Sequence, residues 1–410
     1  MSSAPFYLAR VATPPAGLRT AEVMPGDAVL AFTLCANVAA QDATGDPASS
    51  VSAAHVLTRL KGSPESRALL FAVSAASFGP QLADAAGYPL LPSYYLTAED
   101  SGAVAPPDYC GFIHLTVPLL EERDAIEVEC VLGLGYQPLP GQSFTPDEQA
   151  VAEWMVDTAL DLARKLGRQR VQVGLLHAPG VELNADPFAQ LYRSRGFQLK
   201  HREEHMVMPM PTPPPAALLS PRYRVEVWRD YAGLVGRDSD SPLLDQVLCL
   251  LEVASADADN GQLTVEIPRW TRERLDRARR QLADRRAHTI LAAIIDHHPK
   301  STPGGSERVA SLAELSFQAD GDPEVAEWTL TVTARDYRRR GLAWAAQLAA
   351  LNQAADFQAR LRRIYTTLSP ADTAMTTLAQ RLGAHTLCTA TAWETTLPPA
   401  PEDTELTQHL

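Results

Sequence analysis

Three consecutive arginines, Arg338, Arg339 and Arg340, stand immediately before Gly341. Guanidinium groups bind phosphate oxygens through paired, charge-assisted hydrogen bonds. Glycine has no side chain, so the backbone at Gly341 can approach a ligand closely. The pattern predicts a phosphate-binding loop, residues 338–341, which we call the arginine loop.

A predicted strand and a predicted helix position this loop. Before it, residues 327–333 alternate threonines with Leu330 and Val332, which is the period of a half-buried strand. After it, apolar residues recur at the three- and four-residue spacing of an amphipathic helix: Trp344, Leu348, Leu351 and Ala355. The first turn of a helix has unpaired N–H groups and a partial positive charge. Backbone and arginines would therefore bind a phosphate together.

The residues Arg338, Gly341 and Ala343 after a strand resemble the pyrophosphate loop of the GNAT superfamily of acyl-CoA N-acyltransferases, whose usual form is Arg/Gln-x-x-Gly-x-Gly/Ala. The order of elements downstream is similar too. A strand is predicted over 363–368, a helix begins after Ser369 and ends at Gly383, and a last strand follows over 388–393. The resemblance implies the GNAT fold for this part of the chain.

The resemblance also implies acetyl-CoA or another acyl-CoA as cosubstrate. The pantetheine arm would pair with the end of the strand like an added strand, and the pyrophosphate would lie on the loop and the first helical turn. The implied cofactor-binding residues are Val332, Thr333, Ala334, Arg338, Arg339, Arg340, Gly341, Leu342 and Ala343.

Acyl transfer to an amine needs a base for the amine and a stabilised oxyanion. Several GNAT enzymes place a carboxylate base at the start of the central strand, where this chain has Glu327. The resemblance therefore makes Glu327 the candidate catalytic base, and an exposed glutamate at a strand start is the alternative. Glu314, His288 and the pair His297-His298 are weaker candidates.

The usual proton donor of the family is a tyrosine on the last helix, and this chain has Ala379 there. Tyr192 holds the corresponding place in the first half of the chain. Tyr337 and Tyr365 are substitutes for the missing acid, and a thiol of pKa about 8.5 leaves without full protonation. The identity of the general acid is left open.

The chain repeats one order of elements. In the first half, the capping box from Thr145 to Glu148 opens a helix, a strand follows over 170–175, and a short helix ends at Gly196. The sequence predicts an α/β fold with mixed sheets and two tandem GNAT-like domains: residues 1–208, a Pro-rich linker over 209–221, and residues 222–410. This arrangement resembles the tandem GNAT group that includes mycothiol synthase.

Charge predicts which copy binds the cofactor. Residues 124–163 contain no Lys or Arg, and the helix after the equivalent strand opens with Asp147 and Glu148. Carboxylates at that place repel phosphates. The first copy is therefore expected to be a degenerate domain, and the cofactor site is expected in the second.

Composition limits the remaining classes of function. The formal net charge of −13 argues against a nucleic-acid surface and is compatible with a cationic acceptor. No apolar run approaches the ~20 residues of a membrane helix, and no secretory signal is apparent. The five cysteines form no CxxC pair and are expected to be reduced core residues of a cytoplasmic protein. No His/Cys cluster has metal-ligand spacing, so no metal is expected.

Three functions remain. The first is an acyl-CoA-dependent, and in the simplest form acetyl-CoA-dependent, N-acyltransferase in which a small-molecule amine attacks directly in a ternary complex. The second, suggested by Ala379, is a non-catalytic acyl-CoA sensor. The third, an aminoacyl transferase using tRNA, conflicts with the acidic charge. The acceptor, the acyl-chain length and a homodimeric state are left open.

Overall fold

We describe the protein from a computed structural model. It describes residues 6–47, 50–79, 82–97, 107–212, 214, 219–235, 242–284, 286–297, 307–317 and 323–398. Within these residues the fold is a mixed α/β arrangement in two compact units.

The first half of the chain contains nine strands and four helices among its described residues. The strands are β1 Tyr7–Val11, β2 Met24–Pro25, β3 Ser66–Ser74, β4 Leu90–Leu91, β5 Tyr94–Tyr95, β6 Tyr109–Pro118, β7 Ala125–Leu132, β8 Arg170–His177 and β9 Gln198–Pro209. The helices are α1 Asp27–Thr44, α2 Ala53–Lys61, α3 Pro146–Lys165 and α4 Pro187–Ser194.

The second half contains six strands and five helices among its described residues. The strands are β10 Tyr223–Arg229, β11 His288–Asp296, β12 Arg308–Phe317, β13 Val325–Thr333, β14 Arg363–Leu368 and β15 His385–Thr396. The helices are α5 Ala232–Val235, α6 Pro242–Asp257, α7 Arg272–Asp284, α8 Leu342–Phe357 and α9 Thr373–Arg381.

The first unit consists of the residues up to Glu203, Asn260–Val265 and the segment from Leu387 onward. Its sheet has the order β15-β8-β7-β6-β3-β1-β4. Most neighbours are antiparallel, but β7 pairs with β8, and β1 with β4, in parallel. Helix α3 packs its apolar stripe on this sheet, and Met155 and Leu162 are fully buried in the core.

The second unit consists of Glu204–Asp259 and Glu266–Thr386. Its sheet has the order β10-β11-β12-β13-β14-β9, with β13 and β14 parallel and the other pairs antiparallel. Helix α8 buries Ala346, Leu348 and Leu351 in the core of this unit. The parallel pair and the following helix are the elements that carry the arginine loop.

The last strand of each half of the sequence lies partly in the unit of the other half: the end of β9 belongs to the second unit, and β15 from Leu387 onward belongs to the first. Strand β15 pairs with β8 from Thr389↔His177 to Thr396↔Arg170, in the first unit. The end of β9 pairs with β14 from Leu368↔Glu204 to Arg363↔Pro209, in the second unit. The compact units therefore differ from the predicted ranges 1–208 and 222–410 in these strand segments and in Asn260–Val265, which belongs to the first unit. We call the placement of the two strand segments the strand exchange.

The predicted linker also differs in part from a plain spacer. Pro209 is the last residue of β9, and the Met210 side chain is buried in the core of the second unit. The Met210 N–H donates to the Arg362 carbonyl oxygen at 2.7 Å. The chain is thus packed into the second unit at residues 209 and 210, while part of the range 211–221 lies outside the described residues.

Two features bear on the expectations from composition. Cys35, Cys110 and Cys388 are buried as expected, but Cys249 on α6 is exposed, so the expectation of a core position is wrong for that residue. No helix within the described ranges is both long and apolar enough to span a membrane.

The strand exchange predicts that two substitutions act on the unit that is distant in sequence. Trp393→Ala should lower the free energy of unfolding of the first unit by about 3–5 kcal/mol, and Met208→Ala that of the second by about 2–5 kcal/mol, because each removes a fully buried side chain. Hydrogen exchange of β7 and β13 reports the two units separately. The strand exchange would be contradicted if Trp393→Ala reduced the protection of β13 and Met208→Ala reduced that of β7.

Candidate functional site

The arginine loop joins β13 to α8 through a short turn. Strand β13 ends at Thr333, a 3-10 turn covers Arg335–Tyr337, and α8 begins at Leu342 directly after the loop. Gly341 has a φ of 76°, and Arg339 has a φ of 62°, both in the left-handed region. A side chain at position 341 would be strained by this conformation, although the space beside the Cα is open.

The N-terminus of α8 has unpaired donors. Its N-cap residue is Gly341, which forms no side-chain cap, and the first hydrogen bond within the helix runs from the Ala345 N–H to the Gly341 carbonyl oxygen at 3.1 Å. The N–H groups of Leu342, Ala343 and Trp344 therefore have no partner within the helix. Together with the helix dipole, they form a site suited to an anion.

Two arginines near the loop contact one carboxylate. Asp257, at the end of α6, accepts from Arg335 Nη2 at 2.6 Å and from Arg338 Nη2. The Arg335 hydrogen bond is the main cause that lowers the Asp257 pKa, partly opposed by burial and supported by Arg338. Asp257 thus holds two guanidinium groups in place. Sequence reasoning missed this role, because Asp257 lies far from both arginines along the chain.

The base of the loop is anchored by a buried carboxylate. Asp296, at the end of β11, is fully buried and accepts two hydrogen bonds from Arg222 and one from Tyr337 Oη at 2.8 Å. Burial and the Asp296 charge raise the pKa of Tyr337 to about 12. Tyr337 therefore acts as an anchor in this structure, and it is poorly suited to the role of proton donor.

Strands β13 and β14 separate where the family's reacting centre would lie. Their parallel pairing runs from Val325↔Arg363 to Glu327↔Tyr365, while β13 continues to Thr333. Glu327 thus stands at the last paired position and is exposed. A register shift against β12 leaves Thr329 as an extra residue in β13. The structure brings Glu327 to the start of the gap that Val332, Thr333 and Ala334 border farther along the strand.

A second carboxylate lies close to this irregularity. Glu314 on β12 is buried and accepts hydrogen bonds from Tyr231 Oη at 2.6 Å and from Thr329 Oγ1 at 2.8 Å. Burial raises the pKa of Glu314, and the hydrogen bonds from Tyr231 and Thr329 oppose that effect. Glu314 is consequently a protonatable group next to the strand that carries Glu327.

The histidine candidates have other partners. His288 Nδ1 lies 2.9 Å from Asp230 Oδ2, and His297 Nδ1 lies 2.9 Å from Glu307 Oε1. His298 lies outside the described residues. Within the described part of the chain, no group of three or more His, Cys, Asp or Glu side chains has the arrangement of a metal site.

The position of the family's tyrosine is closed. Ala379 on α9 is buried and lines a void of only about 10 Å³ with Trp328, Thr366 and Met375 among its neighbours. Tyr365 is buried on β14, beside the ring of His205. No described side chain therefore replaces the missing tyrosine at the Ala379 position.

The first unit has the same order of elements, but without arginines before the helix. Strand β7 leads to a 3-10 turn over Leu134–Tyr136, then to residues 137–145, then to α3. Thr145 caps α3: its Oγ1 accepts from the Glu148 N–H, and Glu148 Oε2 accepts from the Thr145 N–H at 2.7 Å. The helix end that is open in the second unit is thus capped in the first by Thr145 and Glu148, and its first turn carries two carboxylates, those of Asp147 and Glu148.

Glu314 yields a prediction about pH. Because its pKa is raised in the folded state, its contribution to stability is complete below about pH 4.5 and is lost as the pH rises through the folded-state pKa. Glu314→Gln keeps the shape and should remove this loss, so the stability of the natural protein should fall relative to that of the variant as the pH rises. Denaturation at a series of pH values measures the difference, and a difference independent of pH would contradict the assignment.

No model of a protein family matches the chain, and no curated protein matches it. Several solved structures do. A tandem GNAT protein from the clavulanic acid biosynthesis pathway, solved without AcCoA, is 15% identical with a TM-score of 0.62, covering 97% of this chain and 100% of that one. A GCN5-related N-acetyltransferase from Sphaerobacter thermophilus is 14% identical with a TM-score of 0.53, covering 97% and 98%.

A third structure contains the GCN5-related glucosamine N-acetyltransferase region of a fungal multi-domain GH3 beta-N-acetylglucosaminidase. It is 10% identical with a TM-score of 0.52, covering 96% of this chain and 38% of that one. Likeness at these identities is likeness of fold. The chain therefore has the fold of the tandem GNAT proteins, as the resemblance in its sequence predicted.

Proposed function

We propose that the protein is an acyl-CoA-dependent N-acyltransferase, with acetyl-CoA as the simplest donor and a small-molecule amine as the acceptor. The observation that carries the proposal is the uncapped N-terminus of α8 behind Gly341, with arginines beside it. That combination suits a diphosphate. The fold shared with GCN5-related N-acetyltransferases supports the same reaction class.

The residues present fit coenzyme A. The N–H groups from Arg339 to Ala343 would hold the pyrophosphate, and Arg338 and Arg340 would add charge. Arg339 forms no ion pair with any residue that the structure describes, so its guanidinium group is available. The edge of β13 beyond Glu327 would pair with the pantetheine arm. When bound, the cosubstrate supplies an acyl group activated as a thioester.

Glu327 is the proposed base. Its exposed carboxylate stands where β13 and β14 begin to separate, so an amine entering there would meet it. Removal of a proton from the ammonium form gives the free amine, whose nitrogen attacks the carbonyl carbon. The C–N bond forms, the C–S bond breaks, and the nitrogen gives up a second proton, which the leaving thiolate takes up directly or through solvent. Glu314 is a weaker candidate, because it is buried and already bonded to Tyr231 and Thr329.

The proposed class of acceptor is argued from the net charge of the protein. With a net charge of −13, the protein favours cations over nucleic acids, so a small amine is the proposed partner and tRNA is not. A cytoplasmic location, expected from the five cysteines without a CxxC pair, is also part of the proposal. The alternative, a non-catalytic acyl-CoA sensor, has one observation in its favour: the closed, alanine-lined position where the family has its tyrosine.

Coenzyme A binding tests the proposal. Arg338→Ala should weaken binding about 10- to 100-fold, because it removes a charge-assisted hydrogen bond to phosphate. Gly341→Glu should abolish binding, since it adds a strained backbone and a negative charge at the helix N-terminus. Calorimetric titration with coenzyme A measures both variants.

The matched control is Arg360→Ala, which removes an exposed positive charge near the other end of α8. It should bind like the natural protein. Equal affinity for coenzyme A in Arg338→Ala and Arg360→Ala would refute the assigned site, and no binding to the natural protein would refute the function.

Turnover separates the enzyme from the sensor. With acetyl-CoA and a panel of small amines, the natural protein should release free thiol above background. Glu327→Gln should reduce kcat by about 10²–10⁴-fold and leave the affinity for coenzyme A unchanged. If no amine in the panel raises thiol release above background while coenzyme A binds normally, the sensor is favoured. Full activity in Glu327→Gln would remove Glu327 as the base.

A further inference from the structure

The first unit contains a cavity of about 260 Å³. Parallel strands β7 and β8 pair from Ala125↔Arg170 to Val128↔Val173 and then separate. The cavity lies in the resulting wedge, between Glu129–Leu132 and Gly174–His177. We call it the first-unit cavity. All the residues that line it belong to the first unit, so it is independent of the arginine loop.

The walls of the first-unit cavity leave room for a small ligand with an apolar body. Helix α1 presents only small side chains to it over much of one side, with Ala36, Ala39 and Ala40 in the wall. Phe188, at the start of α4, supplies an aromatic wall, and residues 137–142 close another side. The volume is below the ~300 Å³ of typical sites for drug-sized molecules. The occupant is therefore a small molecule.

The charges in the wall have one sign. Three carboxylates line the cavity, those of Asp42, Glu129 and Asp186, and none of its described lining residues is a lysine or an arginine. The segment that corresponds to the arginine loop here contributes prolines and glutamines: Gln137, Pro138, Pro140 and Gln142. An anion such as a phosphate would be repelled, and a cation would be attracted.

Glu129 is the carboxylate best placed for a ligand. It lies on β7 within the sheet, yet its side chain is 48% exposed, because it faces the cavity. One carboxylate oxygen, Oε2, lies 3.2 Å from His114 Nδ1. Burial raises the pKa of Glu129, but the hydrogen bond with His114 and the charge of Arg59 outweigh it, so the pKa is lowered. The group is therefore an anion at neutral pH.

The other polar groups are held in fixed positions. Trp393 Nε1 donates to Thr391 Oγ1 at 2.9 Å, and Thr391 Oγ1 lies 2.7 Å from His177 Nε2. His177 is almost fully buried and presents Nδ1 to Asp186 Oδ2 at 3.2 Å. Gln137 donates to two backbone carbonyl groups, while its buried Oε1 has no partner among the described residues.

We propose that the first-unit cavity is a binding site for a small organic ammonium ion with an apolar body. Glu129 balances its charge, and the alanine and Phe188 walls contact its apolar part. The site binds without covalent chemistry, since burial raises the pKa of the one lining thiol, Cys130, to about 12 and leaves it neutral. The proposal does not depend on acyl transfer.

The test uses 2-phenylethylamine as the cationic probe and 2-phenylethanol as its uncharged match. Calorimetry should show binding of the amine at least tenfold tighter than binding of the alcohol. Hydrogen exchange should then show protection of β7 and β8, with β13 and β14 unchanged. Glu129→Gln should reduce amine affinity at least tenfold, and Ala39→Phe should abolish binding by filling the space without altering a charge.

Two controls make the result specific. Asp161→Asn removes an exposed carboxylate on α3 that pairs with Arg164 and should bind the amine normally. Arg338→Ala should also bind it normally, so a failed coenzyme A experiment and a failed amine experiment are distinguishable. Equal binding of amine and alcohol, unchanged binding in Glu129→Gln, protection confined to β13 and β14, or no binding would each overturn the proposal.

Discussion

The buried carboxylate of Asp296 is the interaction on which the rest of the candidate site depends. A buried charge is tolerated only when it is paired, and Asp296 is satisfied by Arg222 and by the hydroxyl of Tyr337. Tyr337 closes the turn just before Arg338, so this contact fixes where the loop begins. Asp257 then restrains two guanidinium groups beside it. A loop held in this way needs little ordering to bind an anion.

The two units place side chains of opposite charge on the same arrangement of elements. Each has a strand, a 3-10 turn that ends in a tyrosine, and a long helix. In the second unit the helix end is uncapped and beside arginines. In the first it is capped by Thr145 and Glu148, a longer segment of prolines and glutamines replaces the arginines, and the wedge beneath contains carboxylates. In the two proposed sites, the fold provides the wedge, and the residues around it determine the sign of the charge that each would bind.

The sequence predicted the features that depend on neighbours along the chain. The arginines, Gly341, the flanking strand and helix, and the capping box at Thr145 are local signals, and the structure has each of these elements. The sequence could not predict the pairing of Asp257 with Arg338, the burial of Asp296 or the strand exchange of β9 and β15. Each of these features depends on contacts between residues that are far apart along the chain. Helix α1 was missed because most of its length is alanine and other apolar residues with weak periodicity. The roles of Glu327 and of the cofactor-binding residues stay predictions.

The exchanged strands have a consequence for how the protein is made. Strand β8 is synthesised well before its native neighbour β15, because β9 to β14 lie between them in the sequence. The sheet of the first unit is therefore incomplete until most of the second unit has been translated. A polypeptide released before residue 385 lacks β15 and exposes an unpaired strand edge, a recognised template for aggregation. Folding of the first unit thus depends on translation through β15.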